Sequence, residues 1–442
     1  MRREPLPGAV PAVAPTAVLL GLLIAPSALG ISTTAVALPT ISADIGLSHP
    51  EAAWMLAGYV LAQATWVALF GRLADMNGTR SVLLAGGAMI AAGTALTFTA
   101  GSFAPMLLGR MLQGAGVAAS PVVGFSVAAS LYEGSERAHA LAIVSAVIAV
   151  LSGSGSLIGG LLTDGLSWRA VMLVPALTLP ATAGALHLAS RHGAGTGRLD
   201  AIGAALVVVL ASSVVLLLET PSIDFATWVL VALGAVAAAA AALLARRVGR
   251  VPDGFIPAAV VRSRRYVLGA LAALTLFGGY LAMLFAAPLL LLEHHDWSPT
   301  HLGLVLLPAA VMGSGSARGF GHLMARFDPF RLTATMALVS TAGLLLGGLA
   351  DGRPALVTLA LGMTIVGFMA AQVVLLDRVP LVLAPEVRSI ATGAFILVFL
   401  VGGAVGTACV AGLTDPLGLN GAVACVAVLP AAGAALTLAA GA

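Results

Sequence analysis

Three groups of residues in this chain have types and spacings that could do chemistry. The first is Gly71-Arg72-Leu73-Ala74-Asp75-Met76-Asn77-Gly78-Thr79-Arg80. It sets one carboxylate among two arginines, with glycines that permit a tight turn. Such a cluster can hold one arrangement of a loop and release it in another; a solvated basic loop would carry the same residues. The second is Arg110 with Gln113 and Gly114 three and four residues on, hence on one helix face. An arginine inside an apolar run costs about 2.5–3.5 kcal/mol on insertion scales, so it must find a polar cavity or a partner, or snorkel to the interface. This face is expected to line a translocation path, with Arg110, Gln113 and Gly114 as coupling or cavity residues. The third is a run of small residues, Ser152, Ser156 and Gly160 beside Gly155, Gly159 and Thr163. Their i, i+4 spacing lets helix backbones approach closely. They suit a hinge or sliding interface, and ordinary tight packing as well.

Groups that catalysis would need are missing. An intramembrane enzyme wants paired His, Asp or Glu at helical spacing. His294-His295-Asp296 is such a cluster, but it lies between apolar runs, and adjacent histidines do not share a helix face. No metal, cofactor or enzymatic activity is therefore expected. No acidic residue falls at the centre of an apolar run; Asp44, Glu51, Asp164, Glu219, Glu293, Asp296 and Asp377 sit at the edges. Asp377 beside Arg378 reads as an ion pair, and Glu219 as a weaker relay candidate. Cys409 and Cys425, both in apolar runs, read as small buried hydrophobes.

Apolar helices must position these groups. Of 442 residues, 60% are hydrophobic and 9% charged, against about a quarter charged in a soluble domain. Runs long enough to cross a bilayer fall at 15–38, 52–70, 81–101, 103–131, 138–163 and 168–190. Two more fall at 200–218 and 225–245. The last six fall at 266–292, 299–319, 329–350, 354–376, 388–413 and 418–440. The first run is too long for a signal-peptide core. The chain is expected to be an all-α polytopic membrane protein, with a six-helix bundle over 1–195, an inserted helix pair over 196–250, and a linker and second six-helix bundle over 251–442.

All 21 basic residues are arginines. With the N-terminus in the cytoplasm, eighteen fall inside, only Arg169 and Arg353 outside, and Arg110 within a span. Basic residues mark cytoplasmic loops, so both termini are expected there. The arginine-rich segment 246–265 suits a linker against anionic headgroups, and a formal charge of +3 is too small to suggest nucleic acid.

The loop string, at Gly71, Leu73, Asp75, Gly78 and Arg80, resembles the loop signature of the major facilitator superfamily. Arg110 followed by Gln113-Gly114 is similar to the span-4 motif of that family. Gly153-Ser154-Gly155-Ser156-Leu157-Ile158-Gly159-Gly160 with Trp168-Arg169 resembles the antiporter motif of its exporters. Gly197-Arg198-Leu199-Asp200 before the inserted pair, and Ala35-Val36-Ala37-Leu38-Pro39, resemble the fourteen-span drug:proton antiporter branch. The resemblance implies two bundles rocking about a central cavity, with Asp75 facing the start of the span near Arg388, and export coupled to protons. The chain departs from the pattern at Ser156, where proline is usual, and at Gly30 and Ala35, where aspartate and asparagine are usual. The second half keeps only Gly321-His322-Leu323-Met324-Ala325-Arg326 as a worn copy of the loop.

Polar and aromatic side chains within spans are the candidates to bind substrate: Gln63, Trp66, Phe277, Tyr280, Met283, Gln372, Phe395 and Phe399. Few charges with several aromatics and methionines suit an apolar or amphipathic, adaptable ligand. The expected function is export of drug-like or secondary-metabolite molecules from a plasma-membrane monomer, with protons and lipids as its other partners. A facilitator or importer with the same fold is the alternative.

Overall fold

A computed structural model describes residues 12–190, 200–218, 227–251, 254–255, 258–324, 327–379, 382–383 and 388–441. Among the described residues there is no strand. The first part comprises α1 (Val13–Ile45), α2 (His49–Asn77), α3 (Thr79–Thr99), α4 (Phe103–Val117), α5 (Ala119–Leu131), α6 (Gly134–Gly153), α7 (Gly155–Gly165), α8 (Trp168–Val171), a 3-10 turn (Val174–Leu177) and α9 (Thr178–Ala185). α10 (Ala201–Leu218) and α11 (Thr227–Arg250) pair with each other. The rest comprises α12 (Ala258–Arg262), α13 (Arg264–Leu292), α14 (Pro299–Met324), α15 (Pro329–Gly348), α16 (Pro354–Arg378), α17 (Arg388–Val426) and α18 (Val428–Gly441). Eight helices among the described residues are long and apolar enough to cross a membrane. Large apolar side chains such as Leu84, Leu108, Val231 and Leu438 face outward, as a lipid-facing surface requires.

Local chemistry sets the helix ends. Ser48 and Glu51 form a capping box that starts α2, and the Asp328 carboxylate accepts the Arg331 N–H at 2.9 Å to start α15, each satisfying orphan donors. Gly78, at φ 84°, turns α2 into α3 in one residue, a conformation that favours glycine. Several expected spans are broken. The 103–131 run divides between α4 and α5, and the 138–163 run between α6 and α7 at Ser154. That second break needs no proline: glycines flank Ser154, and glycine is a weak helix former. Expected spans 388–413 and 418–440 meet at Gly418, φ 71°.

Asp200 fastens the inserted pair. Its carboxylate accepts from Arg247 Nε at 2.7 Å and Nη2 at 2.6 Å, from the Gly203 N–H at 2.9 Å and from the Phe255 N–H at 3.0 Å. One side chain thus ties α10, α11 and the linker together. Residues 197–199, Glu219, Ala325 and Arg326 lie outside the described residues, and the Asp75, Gln372, Asp377 and Arg388 side chains outside the described side chains. Cys425 is exposed and Cys409 half-buried, unlike the buried hydrophobes expected, because both sit toward the outer surface of the helices.

Candidate functional site

Arg110 is fully buried and faces neither water nor lipid. Its guanidinium carbon lies 4.2 Å from the Tyr59 ring centroid, a cation–π contact. Nε donates to the Met55 carbonyl at 3.2 Å and Nη1 to Gln113 Oε1 at 3.2 Å, while Nη2 has no hydrogen-bond partner. The Gln113 amide nitrogen donates to the Thr94 hydroxyl at 3.0 Å, the Thr97 hydroxyl at 3.3 Å and the Met172 carbonyl at 2.8 Å. The Tyr59 hydroxyl donates to the Ser27 carbonyl at 3.0 Å. A β-carbon at Gly114 would collide with the Tyr59 carbonyl, so glycine there lets α4 reach α2 and bring Arg110 onto the ring. The expectation that this face lines an open path is therefore corrected for this conformation, and snorkelling is excluded. The group is a closed polar node joining α2, α3, α4 and the turn that follows α8. It holds a positive charge without a carboxylate partner among the described residues.

Gly30 explains part of the departure in span 1. A β-carbon there would lie 3.1 Å from Pro175 Cγ and 3.5 Å from the Tyr59 hydroxyl. Proline and tyrosine fill the space beside this residue.

The small-residue run presses on both halves of the chain. A side chain at Gly155 would meet Ser32 Cβ at 2.5 Å, and one at Gly159 the Thr33 carbonyl at 2.7 Å, both on α1. On the other side, side chains at Gly160 and Gly303 would strike the carbonyls of Pro299 and Ser156, so α7 and α14 touch backbone to backbone. The Asp164 carboxylate accepts the Thr300 N–H at 2.7 Å, capping α14 from α7. Nearby, Asp44 accepts from Trp168 Nε1 at 2.9 Å and Arg169 Nη1 at 3.4 Å. At this Asp44 end, Trp54, Ala57 and Leu61 of α2 also pack on Ala404 of α17. The two halves are in contact there along two seams.

At the opposite, Gly78 end, Gly71, Arg72 and Arg80 are half-buried. Arg80 Nη1 donates to the Leu186 carbonyl at 2.9 Å, and its N–H to the Ser190 carbonyl at 3.0 Å. The Thr79 hydroxyl accepts the Ser190 N–H at 2.9 Å. Arg80 therefore anchors the turn to the end of the sixth expected span. A merely solvated basic loop does not describe Arg80, whose side chain and N–H are both engaged.

Four of the substrate candidates do come together. Phe277 and Phe399 stack at 4.4 Å, and Phe395 and Phe399 at 6.4 Å. Tyr280 stacks at 4.6 Å on Phe368, which the sequence reading missed; its spacing of four residues from Gln372 was the one signal that could have found it. Tyr280 also lies beside Ser32 of α1, bringing the rings next to the small-residue run. Met283 lies elsewhere: it is fully buried, and a β-carbon on Gly347 of α15 would come 2.9 Å from its sulfur. Gln63 is buried with its Oε1 unpartnered. Trp66 stands 5.2 Å from Phe70 on a groove facing α10, apart from the aromatic group.

The histidines at the α13–α14 connection engage other side chains. His294 pairs with Asp351 at 3.5 Å, while His295 and His301 stack on either side of Trp297 at 4.3 and 4.4 Å. No metal cluster occurs among the described residues.

Long apolar helices packed through glycines about a buried polar node define an all-α multi-pass membrane protein. The family model of the Major Facilitator Superfamily matches residues 20–407, and the chain belongs to that family. It is 38% identical to the cephamycin export protein CmcT of Amycolatopsis lactamdurans over 40% of this chain and 37% of that protein. It is 29% identical to the methylenomycin A resistance protein of Streptomyces coelicolor over 80% of this chain and 75% of that protein. The chain spans half or less of the length of the first curated relatives. Among solved structures, a bacterial homologue of the human lysosomal transporter Spinster, inward-facing and unoccupied, superposes with a TM-score of 0.68 at 16% identity, covering 98% of each chain. That likeness concerns the fold.

Proposed function

We propose that the chain exports drug-like or secondary-metabolite molecules across the plasma membrane by alternating access, driven by proton antiport. The observation that carries this reading is the α7–α14 seam, where Gly160, Ser156 and Asp164 meet Pro299, Gly303 and Thr300. A backbone-close seam between two halves can part as a unit, since packed interfaces are bistable and not continuously deformable. The names of the antibiotic export and resistance relatives support an outward direction. The reading takes residues 1–195 and 251–442 as the two moving bundles, 196–250 as an insertion, both termini as cytoplasmic and the chain as a monomer. The Asp75 turn is the catch on the cytoplasmic face. Phe277, Tyr280, Phe368, Phe395 and Phe399 form one wall of the substrate site.

A susceptibility panel in an efflux-deficient host tests it, comparing the chain with Arg110→Ala and Asp75→Asn. Lower accumulation of at least one compound, lost in both variants at normal expression, is expected. Unchanged accumulation of every compound would remove the exporter reading. Gly30, where the branch usually carries aspartate, favours a second reading as a facilitator without proton coupling. Proton uptake into inverted vesicles on adding substrate separates the two.

A further inference from the structure

A cavity of about 190 Å³ lies between the first half of the chain and the inserted pair. Leu61, Ala62, Thr65 and Trp66 of α2, Met89 of α3, and Leu108, Met111, Leu112 and Ala115 of α4 form one wall; Val208 and Ser212 of α10 form the other. It is separate from the aromatic group and from the buried Arg110 node. Met111 and Ala115 follow Arg110 and Gly114 by one residue each and so stand about 100° further round α4.

We infer that this groove is a binding site for a phospholipid acyl chain, which wedges the inserted pair against α2 and α4. Depth selects the occupant. Trp66 is 11 residues from the Asn77 end of α2 and Leu108 five residues from the Phe103 end of α4. At about 1.5 Å per residue, the groove therefore lies inside the hydrocarbon layer and away from the headgroups. Only acyl chains are abundant at that depth. The walls agree, since Leu, Met, Val and a tryptophan ring face the space and the Thr65 hydroxyl is committed to the Leu61 carbonyl at 2.7 Å. Water would find few of the two to four polar partners it needs.

The groove is also continuous with the lipid-facing surface, for Leu108 at its rim is 55% exposed. Its volume of about 190 Å³ suits part of one chain and not a whole lipid. Leaving it empty would forfeit dispersion contacts along the whole lining. Methionines at 89 and 111 are unbranched and suit a flexible chain.

The consequence concerns α10, which touches both α2 and α17 and so straddles a seam between the two halves. An acyl chain on the α2 side fills the space α10 would otherwise have to close. The pair is then attached through lipid as well as through protein contact.

Quenching of Trp66 tests this in the full chain. A variant with Trp54→Phe, Trp168→Phe, Trp228→Phe and Trp297→Phe leaves Trp66 as the one indole. It is reconstituted in vesicles of phosphatidylcholine brominated near the chain end, near the headgroup, or not at all. Chain-end bromine should quench Trp66 more strongly than headgroup-proximal bromine. Filling the groove from either wall, by Ala115→Leu or Ser212→Leu, should cut that quenching by about half as bromine is displaced from contact range. Native mass spectrometry of the otherwise unaltered chain should show one retained phospholipid that the Ser212→Leu chain lacks. Equal quenching in filled and unfilled chains would overturn the inference, as would loss of quenching on adding Nile red with no lipid retained, which would assign the groove to a drug-like ligand. None of these readouts depends on transport.

Discussion

Tyr280 of α13 lies beside Ser32 of α1, and Ser32 is the residue against which Gly155 of α7 is pressed. The aromatic group of the second half therefore meets the small-residue run of the first at one serine. If the halves rock apart, this contact must open. A ligand lying on the rings that offers its own acceptor or donor to Tyr280 would replace it.

Tyr280→Phe keeps the ring and removes the hydroxyl from this contact. A polar contact of this kind contributes up to about 1 kcal/mol, or roughly fivefold in an equilibrium. Placing Thr300→Cys in a chain with Cys409→Ser and Cys425→Ser gives a reporter on the α7–α14 seam. Labelling by a membrane-impermeant maleimide should rise, by up to that factor, in Tyr280→Phe. A labelling rate identical to the parent would show that the hydroxyl does not bias the seam.

Gly303→Val should abolish function while sparing insertion. The valine side chain would meet the Ser156 carbonyl across the seam, and backbone cannot move aside as a flexible side chain can. The control is Gly165→Ala on the same helix as Ser156, where nothing lies within 4 Å of an added β-carbon. Resistance conferred on an efflux-deficient host should fall to the vector level for Gly303→Val and stay unchanged for Gly165→Ala. Full resistance with Gly303→Val would mean the seam is not closed during transport.

Arg110→Lys should fail despite conserving charge. The guanidinium serves the Met55 carbonyl and Gln113 while standing over the Tyr59 ring, and an ammonium offers neither a planar fork nor a stacking face. Gln113 Oε1 would then lose its partner, at a cost of about 1–3 kcal/mol for a buried polar group. A lowered melting temperature in detergent and at least about tenfold lower transport follow, since about 1.4 kcal/mol is tenfold. Wild-type values for Arg110→Lys would show that charge alone matters there.

Much of the fold was legible because bilayer crossing demands long apolar runs, and composition shows those directly. Arg110, Gln113 and Gly114 were legible as a unit from helical spacing, but their environment was not: whether a helix face meets water or another helix depends on partners distant in sequence, here Tyr59 and Met172. The small-residue run announced close approach without naming the partner, and the structure supplies two, α1 and α14. Phe368 escaped because a lone aromatic in an apolar run carries no sign of stacking until Tyr280 and Phe277 are seen beside it. The break at Ser154 was invisible for a related reason, as glycines there permit a break that packing against α1 then selects.

The Asp200 anchor should be insensitive to pH through the physiological range. Burial alone would raise the carboxyl, but the hydrogen bond from Arg247 and the N–H groups of Phe255 and Gly203 outweigh it and hold the group down at about 2. An unfolded aspartate titrates at about 3.9. A depressed folded value means the stabilisation is complete above the unfolded one and is lost as pH falls through the folded one. The difference in melting temperature between the chain and Asp200→Asn should thus be constant above about pH 5, shrink below about pH 4 and vanish near about pH 2. Any pH dependence of transport near neutrality must then come from other groups, and Asp200→Asn should leave the shape of that profile unchanged. A gap that changes between pH values of about 6 and 8 would show that the carboxylate is not held ionised by Arg247.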